Sequence, residues 1–320
     1  MGSGDRGADP APAPHHFPPA IPHKPSLESR AIAAYLGMAV GDALGATVEF
    51  MTPREIAAQY RVHDTISGGG WLRLKAGQVT DDTTMALALG RAILDSGGRV
   101  DARAAALAFD EWMRGKPVDI GNTVRRGLLQ FRKTGETVMP PSEHDAGNGA
   151  AMRILPVALA TLGQSEEEIR AACRAQAHVT HNNALSDAAC YTLTHMLHDA
   201  LEGAEKYALL HHHAHPLAAL HPEFAFRGVK QAENPSGYVA ETLRAVFQAL
   251  FDTDTFEDCL VDVVNRGGDA DTTGAIAGMR AGALYGLEAV PQKWLRALDP
   301  AARTECEEQA VKLVGLAASR

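Results

Sequence analysis

The sequence predicts an all-α fold, and three observations carry that prediction. Ala, Leu and Gly dominate the 320 residues, while aromatics make up only 6% and β-branched runs are sparse. Apolar residues recur at helical spacing, as in Ile32, Leu36, Val40 and Leu44. No segment sustains the alternation of a half-buried strand. With 46% apolar residues the chain has material for a substantial core.

The elements follow in order. Residues 1–26, rich in Pro, Ala and His, are expected to form a disordered tail. One domain is expected over 27–320. Its first helix begins near Leu27 and carries glycines at Gly37, Gly41 and Gly45. Their spacing of four makes a small-residue seam, where another helix or a ligand can approach closely. Further helices are predicted at about 53–60, 83–96, 101–114, 120–133, 148–162, 165–177, 183–202, 236–251, 255–265, 272–286 and 300–317. Thr255 with Asp258 reads as a helix start. Turns fall at Ser67–Gly70, Pro140–Gly147 and Asn265–Asp271.

Composition narrows the function classes. A formal net charge of −9 gives no basic footprint for nucleic acid. The four cysteines are far apart without CxxC spacing, as expected of reduced thiols in a cytoplasmic protein. No apolar run approaches the ~20 residues of a membrane helix, so direct membrane insertion is not expected. The N-terminus lacks the apolar stretch of a signal peptide.

Two acidic motifs lie almost 190 residues apart: Thr80-Asp81-Asp82-Thr83 and Asp269-Ala270-Asp271-Thr272. Each precedes an apolar helical run, so helix capping is the ordinary reading. Capping needs one acid, however, and each motif carries two. Adjacent carboxylates repel unless a cation offsets them. Brought together, Thr80, Asp81, Asp82, Asp269, Asp271 and Thr272 form an oxygen-only set that suits Mg²⁺ or Mn²⁺ rather than zinc. Several carboxylates can hold two ions that activate water. Glu49, following Asp42, can add a further carboxylate. Gly147-Asn148-Gly149, placed at a predicted helix start, offers backbone N–H groups to a phosphate. Gly68-Gly69-Gly70 beside Trp71 reads as a loop that can line a ligand. The run His211-His212-His213-Ala214-His215 lies away from the acidic motifs in the sequence and reads as a solvated turn.

These segments resemble the ADP-ribosylglycohydrolases. The resemblance runs in order through Gly41 to Phe50, Gly68 to Leu74, Gly77 to Thr83, Pro117 to Thr123, Gly147 to Arg153, Thr180 to Asn182 and Asn265 to Gly274. It implies an all-α domain with two Mn²⁺ (or Mg²⁺) ions at the base of a cleft, held by the six residues of the two acidic motifs. It further implies that Asp119 and Glu49 act in the chemistry, and that Gly121, Asn122, Gly147, Asn148, Gly149 and His181 line ADP-ribose. Asp119 could otherwise be a plain cap for the helix that follows Gly121.

The longer matches resemble the branch that reactivates nitrogenase by removing ADP-ribose from an arginine of its iron protein. That branch implies control by a PII signalling protein and indirect membrane association; a monomer is the expected state. Alternatives are a serine-linked or small-molecule ADP-ribosyl substrate, a non-catalytic ADP-ribose binder, and a two-metal phosphohydrolase. Intact acids argue against the binder.

Overall fold

The computed structural model describes residues 24–319, so the expected tail lies, up to residue 23, outside the described residues. The helices are α1 (Leu27–Gly45), α2 (Pro53–Tyr60), α3 (Asp81–Asp95), α4 (Ala102–Arg114), α5 (Asn122–Thr134), α6 (Leu155–Ala160), α7 (Glu166–Ala177) and α8 (Ala184–Leu201). They continue with α9 (Lys206–Leu209), α10 (His215–Leu220), α11 (Val239–Asp252), α12 (Phe256–Val264), α13 (Ala270–Tyr285), α14 (Gln292–Ala297) and α15 (Pro300–Ala318). Among the described residues the only β-pairing is two isolated bridges, Gly69 with Leu74 and Gly147 with Tyr238.

The seam predicted on α1 is a helix–helix contact. A Cβ on Gly37 would stand 2.2 Å from the Gly278 carbonyl oxygen, one on Gly41 1.9 Å from that of Gly274, and one on Gly45 2.1 Å from that of Ala270. Small residues thus let α1 and α13 touch backbone to backbone, and nearly every residue of both helices is buried. The contact sets the end of α1 against the start of α13, although more than 220 residues separate Gly45 from Ala270. α15 also packs against α1, and α3 packs against both.

Three predictions need correction. The helix expected over 148–162 begins only at Leu155; residues 148–154 form tight turns, with Ala151 and Met152 N–H both donating to the Asn148 carbonyl. The histidine run is not a turn: it continues helically from α9 through Leu210–Ala214 into α10, because Leu209, Ala214 and Leu217 present a buried face. Trp294 and Leu295, buried on α14, form a short helix the spacing did not reveal. All four cysteines are buried and free of disulfides.

Candidate active site

Both acidic motifs sit at helix starts, but neither caps its helix. Thr80 precedes α3 and Asp269 precedes α13, and neither side chain makes a capping bond. Asp42, reaching from α1, supplies the cap of α3 instead. Its carboxylate accepts from Thr80 N–H at 3.0 Å, Thr83 N–H at 3.1 Å and the Thr83 hydroxyl at 2.5 Å. The first-turn acids Asp81 and Asp82 are thereby free to face the other motif. The Thr80 hydroxyl lies 3.3 Å from Asp82 Oδ2 and 3.4 Å from Asp271 Oδ2; the Thr272 hydroxyl lies 3.2 Å from Asp82 Oδ2.

The convergence lines the floor of a cavity of about 330 Å³, walled by Glu49, Asp81, Asp82, Asp119, Asp269, Asp271 and Thr272, and by Gly121, Asn122, Gly147, Asn148, Gly149 and His181. Every candidate residue from the sequence lines it except Thr80, which is fully buried behind the acids. Oxygens of Glu49, Asp269 and Asp271 come within 4.8 Å of one another.

Like charges packed this tightly resist ionisation. Burial, reinforced by neighbouring carboxylates, pushes Asp82 and Asp271 well above the usual carboxylate range. Burial also pushes Asp81 to about 7, with Asp119, Asp42 and Asp269 adding to it. Glu49 rises to about 8 by burial, against a hydrogen bond from Trp71 Nε1 at 2.6 Å. Asp42 rises to about 6, again by burial, held back by its hydrogen bonds to Thr83 and Thr80. Among the described residues no lysine or arginine forms an ion pair with any of these acids. Asp82 Oδ1 is buried without a hydrogen-bond partner. An all-oxygen donor set, an orphaned carboxylate oxygen and uncompensated charge fit a divalent cation.

Asp119 does not cap α5: Gly121 holds that position, and Asp119 Oδ1 accepts from the Ile120 N–H at 2.7 Å. Burial raises its pKa, with Asp269 contributing. Gly121 brings no capping side chain, so the first-turn N–H groups of α5 end at the cavity wall through Gly121, Asn122 and Thr123. The start of α5 is thus a helix start on the cavity wall. The Gly147–Gly149 segment lines the same cavity as a turn rather than a helix start, paired with the chain before α11 through Asn148 N–H to the Gly237 carbonyl at 2.9 Å. Asn148 spends its amide within the protein, donating to Asp269 Oδ2 at 2.6 Å and Thr242 Oγ1 at 3.0 Å.

His181 is 2% exposed and stays neutral, its pKa pushed down to about 3 by burial and by Arg153 and Arg126. Buried Arg153 donates through Nη2 to Thr180 Oγ1 at 2.9 Å, and Thr180 Oγ1 lies 2.8 Å from His181 Nδ1. The threonine hydroxyl accepts from the arginine and has its own proton to offer. When it turns that proton to Nδ1, the ring proton is on Nε2, the nitrogen beside Gly147 and Gly149. Sequence reasoning did not assign Asp42, Thr180 or Arg153 these supporting tasks. It noted Trp71 as a loop residue but not its bond to Glu49.

A family model for ADP-ribosylglycohydrolase matches residues 23–320. The ADP-ribosyl-[dinitrogen reductase] glycohydrolase of Rhodospirillum rubrum is 50% identical over 293 residues, 92% of this chain and 98% of that protein. The ADP-ribosylarginine hydrolase Tri1 of Serratia proteamaculans is 36% identical over 86% of this chain and 76% of its own length. A solved structure described as an ADP-ribosylglycohydrolase-related protein complex superposes with a TM-score of 0.80 at 36% identity, covering 91% of this chain and 99% of that one. With the same all-α architecture and a match over nearly its whole length, this chain belongs to the ADP-ribosylglycohydrolase family.

Proposed function

We propose that this protein is a divalent-metal-dependent hydrolase that removes ADP-ribose from a modified arginine, with the ADP-ribosylated iron protein of nitrogenase as its target. The observation that carries the proposal is the convergence of Asp81 and Asp82 with Asp269 and Asp271 in one cavity that Glu49 and Asp119 also line. The activities named for the Rhodospirillum and Serratia relatives support the arginine linkage, and the former supports the target.

Asp81, Asp82, Asp269, Asp271, Glu49 and the Thr80 and Thr272 hydroxyls are the groups that would hold two Mn²⁺ or Mg²⁺ ions. Bound there, the ions supply Lewis acidity toward sugar oxygens and lower the pKa of a water. The rest is the chain's own chemistry. In the net reaction the bond from ribose C1 to the arginine nitrogen breaks and a water oxygen bonds to C1. One water proton stays on the new hydroxyl, and the other ends on the departing guanidine nitrogen. Asp119 is the group we assign to carry that proton, since it lines the cavity, caps no helix and has a raised pKa. The start of α5 faces the diphosphate, where N–H dipoles favour negative charge without adding a cation near the acids. His181 donates through Nε2 to an oxygen of ADP-ribose. Residues 27–320 act as one catalytic domain.

The test is release of free ADP-ribose from arginine-modified iron protein in the presence of Mn²⁺, beside a serine-linked substrate. Release from the arginine substrate is expected. Release from the serine substrate alone would overturn the linkage and the nitrogenase target. Among the described residues no helix is long and apolar enough to cross a membrane.

A further inference from the structure

The cavity ends at Glu49 and Phe50, and a second open space begins there. A groove of about 740 Å³ lies on the far side of these two residues, between Trp71 and the face of α2 that carries Glu55 and Tyr60. Glu49 and Phe50 line both spaces and so form the wall that the two share.

The groove wall is built in a way that packing does not reward. Phe50 is 63% exposed and Trp71 is 51% exposed, with their ring centres 5.4 Å apart. Phe50 also holds φ at 63°, a left-handed conformation that is costly for a bulky residue. The backbone of Phe50 and the ring of Trp71 are nonetheless held. Phe50 N–H donates to the Gly268 carbonyl at 2.7 Å, and Gly268 N–H donates to the Met51 carbonyl at 3.0 Å, which ties the segment to the loop before Asp269. Trp71 stands on a loop closed by the two backbone bonds between Gly69 and Leu74, at 2.8 and 2.9 Å, and its Nε1 is held by Glu49. An exposed aromatic pair on a strained, hydrogen-bonded backbone beside an active-site carboxylate is suited to binding.

The chemistry of the wall selects the occupant. With ADP-ribose placed along the acids, Gly121 and His181 as proposed above, the space left for the group attached to ribose C1 is the one beyond Glu49. A guanidinium is planar and cationic; it stacks on aromatic faces and pairs with carboxylates. The groove offers the rings of Phe50, Trp71 and Tyr60 and the exposed carboxylate of Glu55, with no lysine or arginine among its lining residues. A serine side chain would use none of this.

We propose that this groove is the leaving-group subsite, taking the guanidinium of the modified arginine against Phe50 and Trp71 and the flanking peptide along Tyr60 and Glu55. The inference rests on the reading that the protein cleaves arginine-linked ADP-ribose.

The test compares wild type with Phe50→Ala, Tyr60→Ala and Glu55→Gln, all with Mn²⁺. Tyr60 and Glu55 do not line the main cavity, and Gln preserves the capping box that Glu55 makes with Thr52. KM and kcat are measured on an arginine-ADP-ribosylated peptide, with the inhibition constant of free ADP-ribose measured in parallel. Phe50→Ala and Tyr60→Ala are expected to raise KM about tenfold and Glu55→Gln about threefold. For Tyr60→Ala and Glu55→Gln the ADP-ribose constant should stay within about twofold, and a serine-linked peptide should not respond to Glu55→Gln. Variants that hydrolyse the arginine peptide with unchanged KM would overturn the subsite while leaving the arginine reading intact. So would a joint rise in KM and in the ADP-ribose constant for Tyr60→Ala or Glu55→Gln. A wild-type protein that cleaves only another linkage would overturn both.

Discussion

Gly41 and Gly274 meet so closely that a Cβ on Gly41 would sit 1.9 Å from the Gly274 carbonyl oxygen. This contact lies one residue from Asp42 and three from Asp271, so helix packing and carboxylate convergence are one structural event. Gly41→Ala must push backbone from backbone, with no flexible side chain to yield. It is expected to cost about 1–3 kcal/mol or more. Thermal denaturation and Mn²⁺ titration check this: both Tm and metal affinity should fall, whereas an unchanged Tm would mean the seam is looser than described.

The metal-free protein should weaken as pH rises. Burial pushes Asp42, Asp81 and Glu49 to about 6, 7 and 8, whereas carboxylates in an unfolded chain titrate near 4. The folded state therefore binds more protons between these limits. The stabilisation is full below about pH 4 and is lost as pH climbs through about 6 to 8. Chelated protein should show a Tm that declines across that window, and saturating Mn²⁺ should remove the decline by favouring the ionised acids. A Tm that rises with pH in chelator would contradict the assignment.

Asp119→Asn keeps the size of the side chain and removes its ability to take a proton. A fall in kcat of about 10²–10⁴-fold is expected, with metal content and Tm close to wild type. Full turnover with normal metal content would return Asp119 to a structural role.

Thr180→Val removes the hydroxyl between Arg153 and His181 Nδ1, and Thr180→Ser restores it. Ring-nitrogen NMR shifts should place the His181 proton on Nε2 in wild type and in the serine variant, but not in the valine variant. ADP-ribose affinity should fall about tenfold with valine and recover with serine. An Nδ1-protonated ring in wild type would sink this account of the relay.

The sequence disclosed what is local and left out what arises only in three dimensions. Asp81 with Asp82, and Asp269 with Asp271, were legible because paired acids at a helix start exceed what capping needs. The glycine spacing on α1 was legible as a seam, though its partner, the Gly274–Gly282 face of α13, was not. Asp42 was noticed but not assigned a task, because its partner N–H groups lie at Thr80 and Thr83, 38 and 41 residues away. The helix expected from 148 was misplaced because Ala150, Ala151 and Met152 have apolar helical character, while the Gly147–Gly149 backbone is claimed by the segment around Tyr238. Trp71 could be read as a loop aromatic, yet its bond to Glu49 depends on a fold that returns the loop to the end of α1.

The most direct test of the central claim measures bound metal and ADP-ribose release together, for wild type, chelated wild type and Asp271→Ala. The account predicts about two Mn²⁺ per wild-type chain and release from an arginine-linked substrate. Both should be lost on chelation, recovered when Mn²⁺ is restored, and lost in Asp271→Ala. Full release by chelated protein shown to hold no metal would contradict the claim that the converging acids work by holding cations.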